Sequence, residues 1–247
     1  MTDRVTDPAA PTVAGWPAPA VTGRTTRRAT PGAWSVALGR WQVMRRQLPL
    51  IVATALGTPI FYLLGLGHGL GQSVGVIGQG AGGPVPYVDY IAPALLVAAC
   101  TAVAITEWTW PIVDGYVWQK NFHPIAHTPL APRQIAHGLI LAGGGRMAFV
   151  AVVYTAVMAA TGHVRNWWAV PLLPVIGVAG GLAFGLLVLA FATALKRENG
   201  LLNNVIRLIY LPMTLFSATF YPLAALPAWL HWIGWISPLW HAAETGR

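Results

Sequence analysis

Charged residues are scarce in this chain of 247 residues, at 9% of the sequence, whereas hydrophobic residues make up 55%. Soluble domains typically carry about 25% charged residues, so a water-soluble fold explains this composition poorly. The apolar segments also lack the alternation of polar and apolar residues that membrane-spanning strands show. Because peptide groups in lipid must find hydrogen-bond partners within the protein, the long apolar runs indicate membrane-spanning helices.

Cysteine is nearly absent, since Cys100 is the only one. An intrachain disulfide and a cysteine metal cluster are therefore excluded. The beginning of the sequence does not resemble a signal peptide, because it is rich in Pro, Ala, Thr and Arg and has no apolar core of the required length. This composition predicts a disordered cytoplasmic tail over residues 1–32.

Motifs for catalysis are also missing. The sequence contains no nucleophile elbow, no Walker lysine and no pair of carboxylates at acid–base spacing. His123 and His127 are four residues apart, but Pro124 interrupts a helix between them and the HExxH glutamate is absent, so we predict no metal site. We expect the chain to bind no cofactor and to have no catalytic residues.

The long apolar stretches number five, and each is close to the roughly 20 residues needed to cross a ~30 Å hydrocarbon layer as a helix. They run over about 48–67, 90–113, 139–160, 168–195 and 201–220. The predicted fold class is therefore all-α, a polytopic helical membrane protein whose transmembrane domain covers residues 33–247.

Basic residues are concentrated on one side of this predicted bundle. Seven of the fifteen precede the first span, namely Arg4, Arg24, Arg27, Arg28, Arg40, Arg45 and Arg46. The stretches 68–89 and 221–246 contain none, and Arg165 is the exception on the opposite side. This asymmetry predicts a cytoplasmic N-terminus. It also favours contact with anionic lipid headgroups over nucleic-acid binding.

A helix is predicted before the first span, because apolar residues recur there at three- and four-residue spacing. They are Trp34, Leu38, Trp41, Met44 and Leu48. Arginines and a glutamine lie largely on the other side of the helix, so we expect an amphipathic helix in the cytoplasmic interface. The alternative is a simple cytoplasmic start of the first span.

Polar residues inside the predicted spans form a second group of candidates. They are Glu107, Arg146, Asn203, Asn204 and Arg207. Ionisable groups at membrane depth cost at least ~2.5 kcal/mol each and usually face protein or water. One interpretation is a polar lining in which Glu107 pairs with Arg146 or Arg207. The other is that both arginines extend to the inner membrane surface.

The loop at 114–138, between the second and third spans, is the candidate docking site for a separate partner. Its sequence predicts a short helix up to Phe122, turns at three prolines, and exposed Trp118, Phe122 and Leu130, which suit a groove on another protein. The alternative is a plain solvated loop. The candidate docking residues are Trp118, Lys120, Phe122, His123, His127, Thr128, Pro129, Leu130 and Arg133.

The segment 221–243 is predicted to form an external re-entrant hairpin. Its prolines argue against a continuous span. Trp229, Trp232, Trp235 and Trp240 suit an interfacial position. We expect two short helices that enter the outer leaflet and return, covered by protein.

The order of these features resembles the permeases of type-2 ATP-binding-cassette exporters, the ABC-2 class, and within it the nodulation-factor and daunorubicin-export branch. The matching residues are the span ending in YLLGLGHGLG, Glu107 in the next span, and the loop pattern of Trp118, Thr128, Pro129, Leu130, Gln134, Ile135 and Gly138. They continue with Phe216, Ser217, Phe220, Tyr221 and Pro222, and with Pro238 to His241.

The resemblance implies six spans, with the sixth beyond Arg247, and a pair of permeases made by a second copy or a sister chain. It also implies separate ATP-binding subunits, which carry ATP and Mg and dock on the loop 114–138. The expected function is export of a drug-like, lipidic or glycolipid substrate across a bacterial plasma membrane, as in antibiotic efflux. In the docking loop, His123 and His127 partly replace the usual basic and acidic residues.

Two alternatives to a transport subunit stay open on the sequence. The first is a membrane-embedded enzyme acting on lipid or polyprenyl substrates through Glu107, Asp114 or His123. It predicts turnover by the isolated chain, lost in Glu107→Gln. The second is an assembly factor, for which Trp118→Asp or Leu130→Asp would leave transport unchanged.

Overall fold

The structure is a computed structural model that describes residues 30–80, 83–115, 130–164, 167–195, 201–217 and 219–247. Most of the predicted tail and most of the predicted docking loop lie outside these residues. The α-helices are α1 (Thr30–Arg46), α2 (Leu48–Tyr62), α3 (Gly71–Val74), α4 (Tyr87–Val113), α5 (Pro132–Ala160), α6 (Leu172–Leu195), α7 (Leu201–Phe216), α8 (His231–Ile236) and α9 (Pro238–Gly246).

Four helical stretches are long and apolar enough to cross a membrane, and they correspond to the first four predicted spans. They are Leu48–Val74, Tyr87–Val113, Pro132–Ala160 and Leu172–Ala194. The first is continuous because a π-helical segment, Leu63–Leu70, joins α2 to α3. The prediction of a polytopic helical membrane protein is confirmed in this form.

The fifth predicted span, 201–220, is shorter than expected. Helix α7 ends at Phe216, and its apolar part covers only Ile206–Phe216. The Ser217 hydroxyl donates a hydrogen bond to the Ser237 hydroxyl at 2.7 Å, and both side chains are buried. The chain bends after this point and reaches Pro222, whose missing N–H does not suit a helix interior.

A two-stranded antiparallel hairpin departs from the all-α prediction. It consists of β1 (Val76–Gly80) and β2 (Gly83–Pro86), with Val76 opposite Pro86 and Ile77 opposite Val85. Gly75 precedes it with a φ of 67°, which glycine adopts without steric cost. The β-branched residues of this segment, Val76, Ile77 and Val85, favour strands.

The core of the bundle is the contact between α4 and α6, which run parallel. Glycines recur every four residues along α6, at Gly177, Gly181 and Gly185. A Cβ on Gly177 would lie 3.2 Å from both Leu96 and Cys100, so the two helices approach closely at this position. Small residues at this spacing are a common means of close helix packing in membranes.

Helix α5 packs antiparallel to α4 against the same core. Met147 is fully buried, and its sulfur would lie 3.0 Å from a Cβ on Gly181. Towards the other end of α5, Ala151, Tyr154 and Met158 are buried in a cluster with Cys100 and Leu96. The three helices α4, α5 and α6 therefore form a continuous packed unit.

The short helix α9 fills the remaining side of this unit. A Cβ on Gly180 would lie 2.7 Å from both Ala242 and Val97, and one on Gly246 would lie 3.2 Å from Pro93. The two contacts show that α9 runs antiparallel to α4, with its first residues nearest the middle of the bundle. Helix α8 lies within the predicted segment 221–243 and α9 continues beyond it to Gly246, and a re-entrant hairpin stays a prediction.

The close approach at Gly181 generates a stability prediction. A Cβ there would lie 3.1 Å from the carbonyl carbon of Cys100, so Gly181→Val should overpack the interface. Overpacking typically costs about 1–3 kcal/mol, which corresponds to roughly 2–12 °C for a chain of this size. The measurement is the apparent melting temperature in detergent. Gly145→Val is the matched control, since a Cβ on Gly145 meets nothing within 4 Å; equal effects of both substitutions would contradict the prediction.

Candidate partner-docking site

The candidate docking loop leaves and re-enters the bundle at one end, which we call the α1 end. It is the end at which α4 finishes at Val113 and α5 begins at Pro132. The opposite end, which carries β1 and β2, is called the hairpin end. Seven of the predicted docking residues lie outside the described residues: Trp118, Lys120, Phe122, His123, His127, Thr128 and Pro129.

The two predicted docking residues that the structure describes differ in exposure. Arg133 is exposed in the first turn of α5. Leu130 is half-buried, and its Cδ2 would lie 2.7 Å from a Cβ on Gly32. The expectation that Leu130 is freely exposed is therefore wrong, because this side chain packs against the beginning of α1.

The start of α5 is fixed locally after the loop. Pro132 occupies the first turn, where a residue without an N–H leaves no intrahelical bond unmade. The Ala131 N–H donates a hydrogen bond to Gln134 Oε1 at 3.0 Å. These two features explain why the helix begins at Pro132, seven residues before the stretch 139–160 that was predicted to cross the membrane.

Helix α1 packs along this first part of α5. A Cβ on Gly32 would lie 2.6 Å from Gln134 Oε1, and a Cβ on Gly138 would lie 2.6 Å from Val36 Cβ. The two contacts are four residues apart on both helices, so the first turns of α1 pack against the first turns of α5. The helix predicted from the sequence is present, and its orientation in the membrane interface stays a prediction.

One face of α1 is buried against the bundle, and another face is exposed. The residues buried against the bundle are Ala33, Ala37 and Met44. The large apolar residues Trp34, Leu38 and Trp41 are exposed and follow one line along the helix, as their spacing of four and three residues requires. Helix α1 thus has an apolar surface that no described residue covers.

Trp108 lies between three helices at the α1 end, and we call this contact the Trp108 junction, formed by Trp108, Gly143 and Gly185. The Trp108 side chain is 1% exposed, and its Nε1 donates a hydrogen bond to the Leu139 carbonyl at 3.2 Å. A Cβ on Gly143 would lie 2.7 Å from Trp108 Nε1, and a Cβ on Gly185 would overlap the indole ring. One indole of α4 therefore occupies a notch in α5 and a notch in α6.

An ion pair lies directly beside this junction. An Nη1–H of Arg146 donates to Glu107 Oε1, and the side chains are 21% and 10% exposed, respectively. The pair of Glu107 with Arg146 is one of the two pairs that the sequence suggested. In this pair the Arg146 side chain contacts Glu107 and does not extend to the membrane surface. Because each charge neutralises the other, both can remain within the packed helices.

The remaining polar candidates are not brought into this site. Arg207 and Asn204 are exposed on α7, and Asn203 lies on the same helix with its side chain outside the described residues. The half-buried face of α7 is apolar instead, with Tyr210 packed 6.1 Å from Phe184 between ring centroids. A lining role for the whole group of five polar residues therefore stays a prediction.

The hairpin end carries a separate polar contact. His163 Nδ1 lies 2.8 Å from Asp89 Oδ1, which connects the turn after α5 to the first turn of α4. An open cavity of about 320 Å³ lies beside His163 and Tyr87. Among the residues that the structure describes, no three His, Cys, Asp or Glu side chains are grouped as metal ligands would be.

Our interpretation of the sequence missed the Trp108 junction. In the sequence, Trp108 and Gly143 are simply members of the predicted spans 90–113 and 139–160. The signal that could have indicated the contact is the four-residue glycine spacing of α6, which ends at Gly185. Such a row predicts a close helix neighbour, although it does not identify the residue that fills the notch.

Comparisons with known proteins agree with this architecture. A family model described as ABC-2 type transporter matches residues 33–247. Nodulation protein J of Rhizobium meliloti (strain 1021) is 28% identical over 193 residues, which cover 78% of this chain and 71% of that protein. Nodulation protein J of Rhizobium leguminosarum bv. viciae is 28% identical and that of bv. trifolii is 26% identical, with the same coverage. No solved structure matches the chain.

The family match extends from α1 to α9 and therefore includes the four long apolar helices, the Trp108 junction and the docking loop. The chain belongs to the ABC-2 type transporter family, as a membrane permease and not as an enzyme.

Proposed function

We propose that this permease is the transmembrane subunit of an ATP-driven exporter in a bacterial plasma membrane. It moves a drug-like, lipidic or glycolipid substrate out of the cytoplasm or the inner leaflet. Separate subunits bind ATP and Mg and dock on the loop 114–138. The observation that carries the proposal is the family match over residues 33–247, which implies ATPase partner subunits.

The distribution of charge supports a cytoplasmic position for the α1 end. Arg45, Arg46 and Arg133 are exposed there, close to the ends of the first and third long apolar helices. Basic residues are retained preferentially on the cytoplasmic side of a membrane. At the hairpin end, Arg247 instead packs its guanidinium 3.8 Å from the centre of the Tyr90 ring. In this orientation the docking loop faces the compartment that contains ATP.

The exposed apolar face of α7 supports the proposal that a second permease, either another copy or a sister chain, completes the transport path. Leu208, Leu211 and Leu215 are exposed along one side of α7, while Ile206 and Met213 pack into the bundle on the other. An apolar path between two permeases suits amphipathic cargo. The external hairpin over 221–243, with its exposed tryptophans, would lie at the outer end of that path.

The first prediction from this proposal concerns the partner. Gentle purification of the tagged permease in detergent should recover an ATP-binding-cassette subunit, and ATP hydrolysis should appear only in the complex, because the permease itself is not an enzyme. The measurements are mass spectrometry of the purified material and its ATPase rate. A permease that is recovered alone under several mild detergents, or that hydrolyses ATP by itself, would refute the proposal.

A second prediction concerns the docking residues. Trp118→Asp should weaken binding of the ATPase subunit, because loss of a buried aromatic contact at an interface typically costs about 2 kcal/mol or more, which is at least about thirtyfold in affinity. The measurement is the titration of the purified ATPase subunit against the permease in nanodiscs.

The matched control for this titration is Trp168→Asp, since Trp168 is 92% exposed at the hairpin end. The control should bind the ATPase subunit with the same affinity as the unchanged permease. Equal weakening by the two substitutions, or no weakening by Trp118→Asp, would show that docking takes place elsewhere.

A further inference from the structure

We propose that Trp108 is a positioning residue for energy coupling: it makes α4, α5 and α6 move as one unit when a partner displaces the loop 114–138. This inference rests on the proposed function. Trp108 transmits the displacement of the loop to the three helices, and neither the family match nor the docking residues assign this role to a residue.

Trp108 lies close to both ends of the loop. It lies six residues before Asp114, where the loop begins, and its hydrogen-bond acceptor Leu139 directly follows Gly138, where the loop ends. The Trp108 junction is therefore at the base of the loop and connects its two sides. A displacement of the loop would act on this contact through the last residues of α4, which end at Val113, and through the first two turns of α5, which begin at Pro132.

The indole of Trp108 is tightly enclosed by the neighbouring helices. The indole is 1% exposed and occupies the space that side chains at Gly143 and Gly185 would otherwise fill. A Cβ on Gly185 would also lie 2.6 Å from the Cβ of Ala104, so the helix backbones have little room to slide. Packed interfaces of this kind resist small shifts and change by discrete rearrangement.

Polar contacts fix the register of α4 against α5. The bond from Trp108 Nε1 to the Leu139 carbonyl and the ion pair of Glu107 with Arg146 connect the same two helices within two turns. An apolar side chain could fill the notch, but it could not select this register by hydrogen bonding. The indole N–H is therefore the feature that separates positioning from simple packing.

The first long span is connected to the same unit. Helix α1 contacts α5 where a Cβ on Gly138 would lie 2.7 Å from the Ala33 carbonyl oxygen. A displacement of α5 is thus passed to α1 and, through Gln47, to α2. Among the described residues, α7 meets this unit through Ile206, Tyr210 and Met213 and not through the glycine notches, so we expect the unit to move relative to α7.

The experiment uses the permease in complex with its co-purified ATPase subunits in nanodiscs. A Cys100→Ala background removes the single cysteine of the permease, and a cysteine-free ATPase is used. Spin labels are placed at two pairs of exposed positions. Ala136 and Ala194 report on α5 against α6, and Ala136 and Asn204 report on α5 against α7. Distances are measured without nucleotide and with ATP plus vanadate.

In the unchanged protein, ATP plus vanadate should shift the distance between positions 136 and 204, whereas the distance between 136 and 194 should stay constant. In Trp108→Phe, which keeps an aromatic ring but lacks the N–H, the 136–194 distribution should broaden. The nucleotide-induced shift between 136 and 204 should also be lost while ATP hydrolysis continues. Trp110→Ala, two residues away on an exposed position, should behave as the unchanged protein.

A shift between positions 136 and 194 in the unchanged protein as large as that between 136 and 204 would overturn the inference, as would normal coupling in Trp108→Phe. Either result leaves the proposed function standing, since the ATPase is bound and active in both. Failure of any ATPase to bind is detected earlier, at co-purification, and would overturn the proposed function together with this inference.

Discussion

The close approach of α4, α5 and α6 is the constraint on which the rest of the molecule depends. Lipid tails are as apolar as the helix surfaces, so membrane helices associate by packing and hydrogen bonding and not by escape from water. Glycines at positions 177, 181 and 185 allow the backbones of α4 and α6 to come together. Trp108 fills the space between these three helices. Its indole N–H is the one donor of the side chain, and it donates a hydrogen bond to the Leu139 carbonyl.

The packed unit of α4, α5 and α6 determines where the docking loop and α7 lie. The loop 114–138 emerges where α4 and α5 are held together, whereas α7 contacts the unit mainly through Ile206, Tyr210 and Met213. The permease therefore consists of a closely packed group, α4, α5 and α6, beside α7, which is packed less closely against that group. A partner that grips the loop acts on the connected group, and relative movement against α7 is the mechanical basis that we propose for transport.

The sequence predicted the long helices well, because an apolar run of sufficient length has only one structure available in lipid. The apolar stretch predicted to cross the membrane starts at 139, because Gln134 and His137 are polar, whereas the helix α5 already begins at Pro132. The sequence also overestimated α7, because apolar residues continue past Ser217 although the helix does not. The Glu107–Arg146 pair was one of two alternatives, and only the antiparallel register of α4 and α5 selects it. The Trp108 junction could not be derived, because which side chain enters a glycine notch depends on three helices at once.

The central claim is that a separate ATP-binding subunit grips the loop between α4 and α5. The most direct measurement is photo-crosslinking in native membranes, with a photoreactive amino acid placed at position 118 and, for comparison, at position 168 at the hairpin end. The account predicts a covalent product between position 118 and an ATP-binding-cassette protein, and none from position 168. Products from position 118 that contain only the permease itself would contradict it.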